Sequence, residues 1–422
     1  MKVLWFSNTS SLYDQGKHSY NGGGWIESLE ELISERNDID LAISFFHNLG
    51  FQKEKKGNTT YYPILKKARK KTPIRTIING FQGKIESENK VIPSLLRVIE
   101  DFKPDIIQVF GTEGVFASIQ KYTDIPVVIH LQGLIIPYLN AYFPPNQSYW
   151  NFILSKKFIF KNITGSGVYA SYMRFKNQAI REKSHLENAK YLMGRTDWDC
   201  SISKIYSPDS QYFHIEEVLR PLFYNNFKKE YKLNSTIKIV STLSETVYKG
   251  IDVILKCAKL LKEQTSIDFV WQVVGLDRKN SLLNHFIKEN NVKPEEFNIE
   301  FVGKKNPKDL ILILEKTDLF IHPSYIDNSP NSICEAQIVG IPVIACNVGG
   351  LSTLIENYKT GILVPSNGVF EIVSAIIDYN RNPEVYFNIG RNSKEIACKR
   401  HDKKNIVSSL ISSYSQVIKI CN

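Results

Sequence analysis

Apolar residues along this chain come in short runs, separated by longer segments in which they recur every three or four positions. The first kind of pattern reads as strand and the second as amphipathic helix. In the first half, runs at 2–7, 40–46, 105–110 and 126–130 predict strands, and helical recurrence fits 25–35 and 92–101. A polar, lysine-bearing stretch at 225–234 then reads as a linker. Beyond it a second series starts afresh, with strands at 237–243, 269–274, 299–302, 319–322 and 342–346. Helices fit 250–262, 307–315, 331–339 and a short segment after Gly350. Strands alternating with helices are the pattern of parallel α/β layers. The runs at 269–274 and 341–345 lack polar alternation, as strands covered on both faces do. The pattern therefore predicts two α/β domains of similar size, 1–225 and 233–395. Ligands of such sheets bind outside the carboxyl ends of the strands, which makes a cleft between the domains the default site.

Composition agrees with that size. A chain of 422 residues, 43% hydrophobic and 23% charged, can bury more than one core. The N-terminus turns polar after a single strand's worth of apolar residues, so no signal peptide is read there. The longest aromatic and apolar run, 149–160, contains Lys156 and Lys157 and falls short of the roughly 20 residues a bilayer demands. A soluble, cytoplasmic protein is expected. The six cysteines form no C-x-x-C pair and read as free thiols of a reducing compartment.

The net charge is +10, and the densest basic cluster is Lys66, Lys67, Arg69, Lys70, Lys71 and Arg75. Two readings stay open: a solvated face, or a surface drawn to an anionic membrane at about 1 kcal/mol per basic residue. Nucleic acid is not expected, because no zinc-finger, helix-turn-helix or RNP signature is present.

The chemistry concentrates at 324–350. Asp327 and Glu335 stand eight residues apart around Asn328, Ser329, Pro330 and Asn331, just after the strand at 319–322. Pro330 suits the first position of a helix, where its missing N–H costs nothing. The amides of Asn331, Ser332 and Ile333 would then face outward at a helix start, where the dipole favours an anion such as a diphosphate. Glu335, one turn in, is placed to accept from a ribose diol, and Asp327 to hold sugar hydroxyls. An ordinary cap at Asp327 or Ser329 with a solvated Glu335 is the plainer alternative.

This stretch resembles the nucleotide-sugar motif of the family 4 glycosyltransferases, retaining enzymes of the GT-B fold and of the "glycosyl transferases group 1" type. The matching elements follow in family order: 324–336, then Gly340-Ile-Pro-Val-Ile344, Asn347-Val-Gly-Gly350 and Lys359-Thr-Gly-Ile-Leu-Val-Pro365. The similarity spans most of 237–395; it implies two Rossmann-like domains facing a central cleft, and a final helical segment, 396–422, that crosses back to the first domain. Three positions depart from the family pattern. Asp327 stands where Glu is usual, and Thr242 where an Arg of the phosphate-binding pair is common. No Glu follows the double glycine. Lys249, before Gly250, is retained and by the resemblance carries the diphosphate charge. Arg195 is a candidate for the second cation.

In the first half the resemblance is looser. Gly23 and Gly24 precede Trp25 after the first strand, where glycines and free amides let a backbone approach a phosphate. No G-x-G-x-x-G follows, which argues against a dinucleotide oxidoreductase. Val127-Val-Ile-His130 resembles the family's strand-end His, which faces donor sugar and acceptor. Asp197-Trp-Asp199 has the form that holds a metal in GT-A enzymes, but the GT-B resemblance replaces metal by amides and cations, so no metal or cofactor is expected. Tyr142, Phe143, Trp150, Phe152 and Phe160 suit either a hydrophobic acceptor or plain core packing.

What the resemblance implies is transfer of a hexosyl unit from a UDP- or GDP-sugar to a hydroxyl. The acceptor would be a glycan or lipid-linked glycan, in cell-surface polysaccharide synthesis, with peripheral contact at the inner membrane face. A nucleotide-sugar epimerase on the same fold and a non-catalytic sugar-nucleotide-binding protein remain alternatives, since fold does not set function.

Overall fold

The computed structural model describes residues 1–14, 24–48, 52–65, 73–153, 161, 167–225 and 227–421. The chain divides into two compact units. The first comprises Met1–Leu139, Ile159–Val218 and His401–Asn422; the second comprises Asn140–Phe158 and Leu219–Arg400. The boundary expected at 225 thus falls at 218/219, because Leu219, Phe223 and Phe227 are buried in the second unit's core. Residues 140–158 also belong to the second unit, where Phe152 packs on Phe286 with ring centroids 6.3 Å apart.

In the first unit the described strands are β1 (Lys2–Phe6), β2 (Asp40–His47), β3 (Glu54–Lys56), β4 (Thr59–Leu65), β5 (Ile106–Phe110), β6 (Val127–His130), β7 (Tyr191–Gly194) and β8 (Gln211–His214). They form one sheet in the order β3-β4-β2-β1-β5-β6-β7-β8. Every pairing is parallel except β3 with β4. Leu4, Ile107, Val109 and Ile129 are fully buried, as the unbroken apolar runs require of strands covered on both faces. The helix Lys403–Cys421 belongs to this unit: Trp5 Nε1 of β1 donates to the Tyr414 hydroxyl at 3.1 Å.

The second unit holds β9 (Ile237–Thr242), β10 (Phe269–Val274), β11 (Ile299–Gly303), β12 (Leu319–His322), β13 (Val343–Cys346) and β14 (Ile362–Val364). These are all parallel, in the order β11-β10-β9-β12-β13-β14. From β9 the chain builds outward through β10 and β11 on one side, then crosses to β12 and builds outward on the other. The order therefore reverses between β9 and β12. In open α/β sheets such a switch point, at the strand carboxyl ends, is where ligands bind. All six cysteines are free. Among the described residues no helix is long and apolar enough to cross a membrane.

Candidate functional site

The loops leaving β9 and β12 are stitched to one another. After β9, whose last residue is Thr242, the chain makes a short 3-10 turn, Val247–Lys249. Gly250 follows with φ of +74°, and a Cβ there would lie 2.1 Å from the Pro323 carbonyl oxygen. Only glycine lets this loop rest on the exit of β12. Tyr325 N donates to Tyr248 O at 2.8 Å across the same seam. Lys249 is thereby delivered to Asp327, its Nζ 2.5 Å from Oδ2, while His322 Nε2 lies 3.0 Å from that same oxygen. From the other side Gly349, at φ +56°, sits so close that a Cβ would fall 1.8 Å from the Asp327 carbonyl oxygen, and Gly350 N donates to it at 3.0 Å. Those contacts explain the double glycine: it clasps the backbone of the acid.

The electrostatics of this cluster follow from burial and pairing. Burial opposes a charge on Asp327, but the Lys249 ammonium and the His322 hydrogen bond prevail and hold the carboxyl well below its usual range. For Lys249 burial likewise works against the charge, and Asp327 overcomes it, raising the ammonium. Burial and Lys249 together lower His322 against the pull of Asp327. The cluster is thus an ion pair with a neutral imidazole donating Nε2–H to the carboxylate. Among the described residues His322 Nδ1, Ser324 Oγ and Ser329 Oγ are buried polar atoms with no hydrogen-bond partner. Asn328 is buried between them in sequence.

The helix Asn331–Val339 starts differently from expectation. Pro330 is its N-cap, with ψ of 120°, rather than its first residue. That orientation turns the Pro330 carbonyl toward the helix, where it accepts from Ile333 N at 2.9 Å. The Ile333 amide is therefore engaged, and only the amides of Asn331 and Ser332 precede the first backbone bond. Glu335 is buried, and its Oε1 receives Arg220 Nε at 2.9 Å and Nη2 at 2.6 Å. Burial raises Glu335 while Arg220 pulls the other way. Arg220 was missed in the sequence because it stands 115 residues from its partner, at the edge of the expected linker. Its only local signal was a cation directly before the 3-10 helix Pro221–Tyr224, which carries Phe223 into the core beside Ile333.

In the first unit Gly24 opens the helix Gly24–Ser34, while Gly23 lies outside the described residues. His130 ends β6, fully buried, with Nδ1 3.1 Å from Gln108 Nε2. Its ring meets Trp25 edge-on at 5.1 Å and stacks on Phe110 at 5.8 Å. Burial, with Arg195 adding to it, pulls His130 down to about 3. Arg195 is not an available second cation: it is buried, its Nη1 paired with Glu217, and its guanidinium lies 5.4 Å from the Trp25 ring centre. Asp197 and Asp199 begin the helix Asp197–Tyr206, where Asp199 accepts from the Arg195 amide and the Tyr212 hydroxyl. Among the described residues no three His, Cys, Asp or Glu side chains gather as a metal cluster would need.

Of the aromatic candidates for an acceptor surface, Tyr142 and Phe152 are buried, Trp150 is 56% exposed and Phe160 lies outside the described residues. So do Lys66, Lys67, Arg69, Lys70 and Lys71 of the basic cluster.

Residues 224–396, inside the second unit, match the Glycosyl transferases group 1 family. The chain is 26% identical over 151 residues to the putative colanic acid biosynthesis glycosyltransferase WcaL of Salmonella typhimurium, covering 34% of this chain and 36% of that protein. It is 30% identical over 124 residues to the UDP-Gal:alpha-D-GlcNAc-diphosphoundecaprenol alpha-1,3-galactosyltransferase of Escherichia coli, covering 29% and 31% respectively. The chain thus spans less than half the length of these curated relatives. Across 99% of both chains the fold matches sucrose-phosphate synthase from Thermosynechococcus elongatus, at a TM-score of 0.71 and 16% identity. The two parallel-sheet domains are those of the GT-B fold.

Proposed function

We propose that this protein is a glycosyltransferase that moves a hexosyl unit from a UDP- or GDP-sugar to a hydroxyl of a glycan or lipid-linked glycan, with the anomeric configuration kept. One observation carries the reading: Lys249 is built into the switch point between β9 and β12, clamped on Asp327 beside the start of the helix Asn331–Val339. The group 1 match over 224–396 and the relatives' names, which include colanic acid synthesis and a UDP-galactose donor, support the same chemistry.

Breaking a sugar–phosphate bond leaves added negative charge on the diphosphate and positive character on the sugar. Lys249 and the amides of Asn331 and Ser332 are suited to the first, acting as preorganised donors. Asp327 is assigned to sugar hydroxyls and Glu335, its orientation fixed by Arg220, to the ribose. Thr242, Asn328 and Ser329, with Gly23 and Gly24 of the first unit, belong to the donor-binding set in this reading. The Lys249–Asp327 pair is neutral as it stands, so an arriving diphosphate must share the ammonium with the carboxylate. His130 keeps the assignment of the resemblance, at the junction of donor sugar and acceptor. The proposed reaction uses no metal, and the departing phosphate helps deprotonate the acceptor on the front face. A cytoplasmic location, with contact between the basic segment at 66–75 and an anionic membrane face, belongs to the same proposal.

The test is a panel of UDP- and GDP-sugars read by thermal stabilisation, followed by NMR of the stabilising sugar with and without glycan acceptors. Acceptor-dependent transfer with retained configuration is expected. Conversion of the sugar without an acceptor would make the protein an epimerase. Stabilisation with neither transfer nor hydrolysis would make it a binding protein.

A further inference from the structure

A chain of hydrogen bonds runs through the first unit from the C-terminal helix to the candidate strand-end histidine. Trp5 Nε1 lies 3.1 Å from Tyr414 Oη, Tyr414 Oη contacts Gln108 Oε1, and Gln108 Nε2 lies 3.1 Å from His130 Nδ1. All four side chains are buried.

The donor inventory gives this chain one direction. An indole N–H only donates, so Tyr414 Oη accepts from Trp5. The single Tyr414 O–H is then directed at Gln108 Oε1, the amide's one acceptor. Were the Gln108 amide turned over, its NH2 would face Tyr414 Oη and the tyrosine proton would lie buried without an acceptor, which is costly. With the amide so fixed, Gln108 Nε2 must donate to His130 Nδ1. A neutral imidazole carries one proton, so that proton sits on Nε2. Neutrality follows from the surroundings: the ring lies between Trp25 and Phe110, and burial and the cationic Arg195 both oppose protonation. His130 Nε2 is itself buried, with no hydrogen-bond partner among the described residues.

We propose that Tyr414, acting through Gln108, holds His130 as the neutral tautomer protonated on Nε2. The C-terminal helix is then a positioning element for that ring. The consequence for chemistry is sharp. A ring locked this way offers a hydrogen-bond donor to an oxygen of the ligand and has no lone pair on Nε2 with which to act as a general base. Deprotonation of an acceptor hydroxyl falls to another group. This consequence for catalysis rests on the glycosyltransferase reading, whereas the tautomer does not.

The experiment uses full-length protein labelled with 15N-histidine, with the His130 signals assigned by their loss in His130→Gln. Long-range 1H–15N correlation spectra then report which ring nitrogen carries the proton. The wild type is expected to show protonated Nε2 and bare Nδ1. In Gln108→Glu, one carboxylate oxygen accepts from Tyr414 and the other turns to Nδ1, so the proton is expected to move to Nδ1. Tyr414→Phe removes a single oxygen and serves if Gln108→Glu does not fold; a mixture of tautomers is expected there. A wild-type ring protonated on Nδ1, or an Nε2–H signal unmoved by either substitution, overturns the proposal. In transfer assays Tyr414→Phe is expected to lower kcat about tenfold, the worth of one good hydrogen bond, with KM for the nucleotide sugar nearly unchanged. If the tautomer behaves as stated while turnover does not change, it is the catalytic role of His130 that fails.

Discussion

In the second unit the candidate chemistry is carried by ion pairs, whereas in the first it rests on an uncharged ring. Asp327 and Glu335 are both buried, and each has an opposite charge within 3 Å, from Lys249 and Arg220. His130 is equally buried, has no acid bonded to its ring, and stays neutral. The difference reflects the cost of burying charge. A carboxylate is kept ionised out of water only by a partner, while an imidazole escapes the cost by giving up its proton. The two units should therefore fail in different ways: the second when a partner is removed, the first when a proton is forced on.

The largest effect is expected at Lys249. Lys249→Met should lower turnover by about 10²–10³, the loss typical of one preorganised donor at a developing charge. Asp327 would lose the ammonium that most strongly favours its charge, so its carboxyl should rise toward the ordinary range. Steady-state transfer kinetics, with circular dichroism to confirm folding, check this. Turnover within about threefold of wild type, a difference near RT, would remove the ion pair from the chemistry and leave it as a structural clasp.

Arg220 sharpens the same side of the comparison through stability. Arg220→Met leaves Glu335 buried without its cation. Such a loss costs about 3–5 kcal/mol for a fully buried pair. The Arg220 side chain is 26% exposed, so about 2 kcal/mol is the discounted expectation. Adding Glu335→Gln should restore most of it, because the uncompensated charge is then gone. Urea unfolding of the two variants measures the difference. Equal stability of the single and double variants would mean that Glu335 takes up a proton at little cost.

How much of this was readable beforehand depends on where the partners lie in the chain. The run from Ser324 to Gly350 carries its acids, its turn residues and its double glycine in one contiguous stretch, and the expected helix at 331–339 is observed as Asn331–Val339. The clasp by Gly349 and the seat of Gly250 on Pro323 give those glycines a physical reason that composition alone lacks. What was not legible were the partners from afar. Arg220 reaches Glu335 across 115 residues, and Tyr414 reaches Gln108 across 306. No local pattern encodes a pairing over such separations. The strands β3, β7, β8 and β14 were missed for a different reason: at three or four residues each they are too short to show a period, and in the missed β4 Thr59, Thr60 and Pro63 interrupt the apolar run. The amide of Ile333 was misjudged because the backbone angle of Pro330, not its residue type, decides whether its carbonyl turns into the helix.

The smallest expected effect tests the neutral side of the comparison, through the pH dependence of stability. The folded value for His130, about 3, lies below the ordinary 6.5. Between these two values the unfolded chain binds a proton that the folded chain refuses. The contribution of His130 is therefore fully present above pH 6.5 and declines as the pH falls toward 3. His130→Gln keeps a neutral donor in place and removes the titration. Within this window the wild type should lose stability on acidification more steeply than the variant, by about 1.4 kcal/mol per pH unit, one proton's worth. The comparison is of slopes, because other buried groups titrate nearby. His185, pulled down to about 4 chiefly by burial, adds to the acid loss. Glu182, raised by burial to about 7, acts in the opposite sense, its contribution being lost as pH rises from 4.5 through 7. Both are present in both proteins and cancel in the difference. Urea midpoints converted to free energies at several pH values between about 4.5 and 6 give the two slopes. Parallel slopes would mean that His130 binds its proton in the folded chain as readily as in the unfolded one. In that case the His130 site, like those of Asp327 and Glu335, would tolerate a buried charge, and the contrast between paired acids and an uncharged ring would no longer hold.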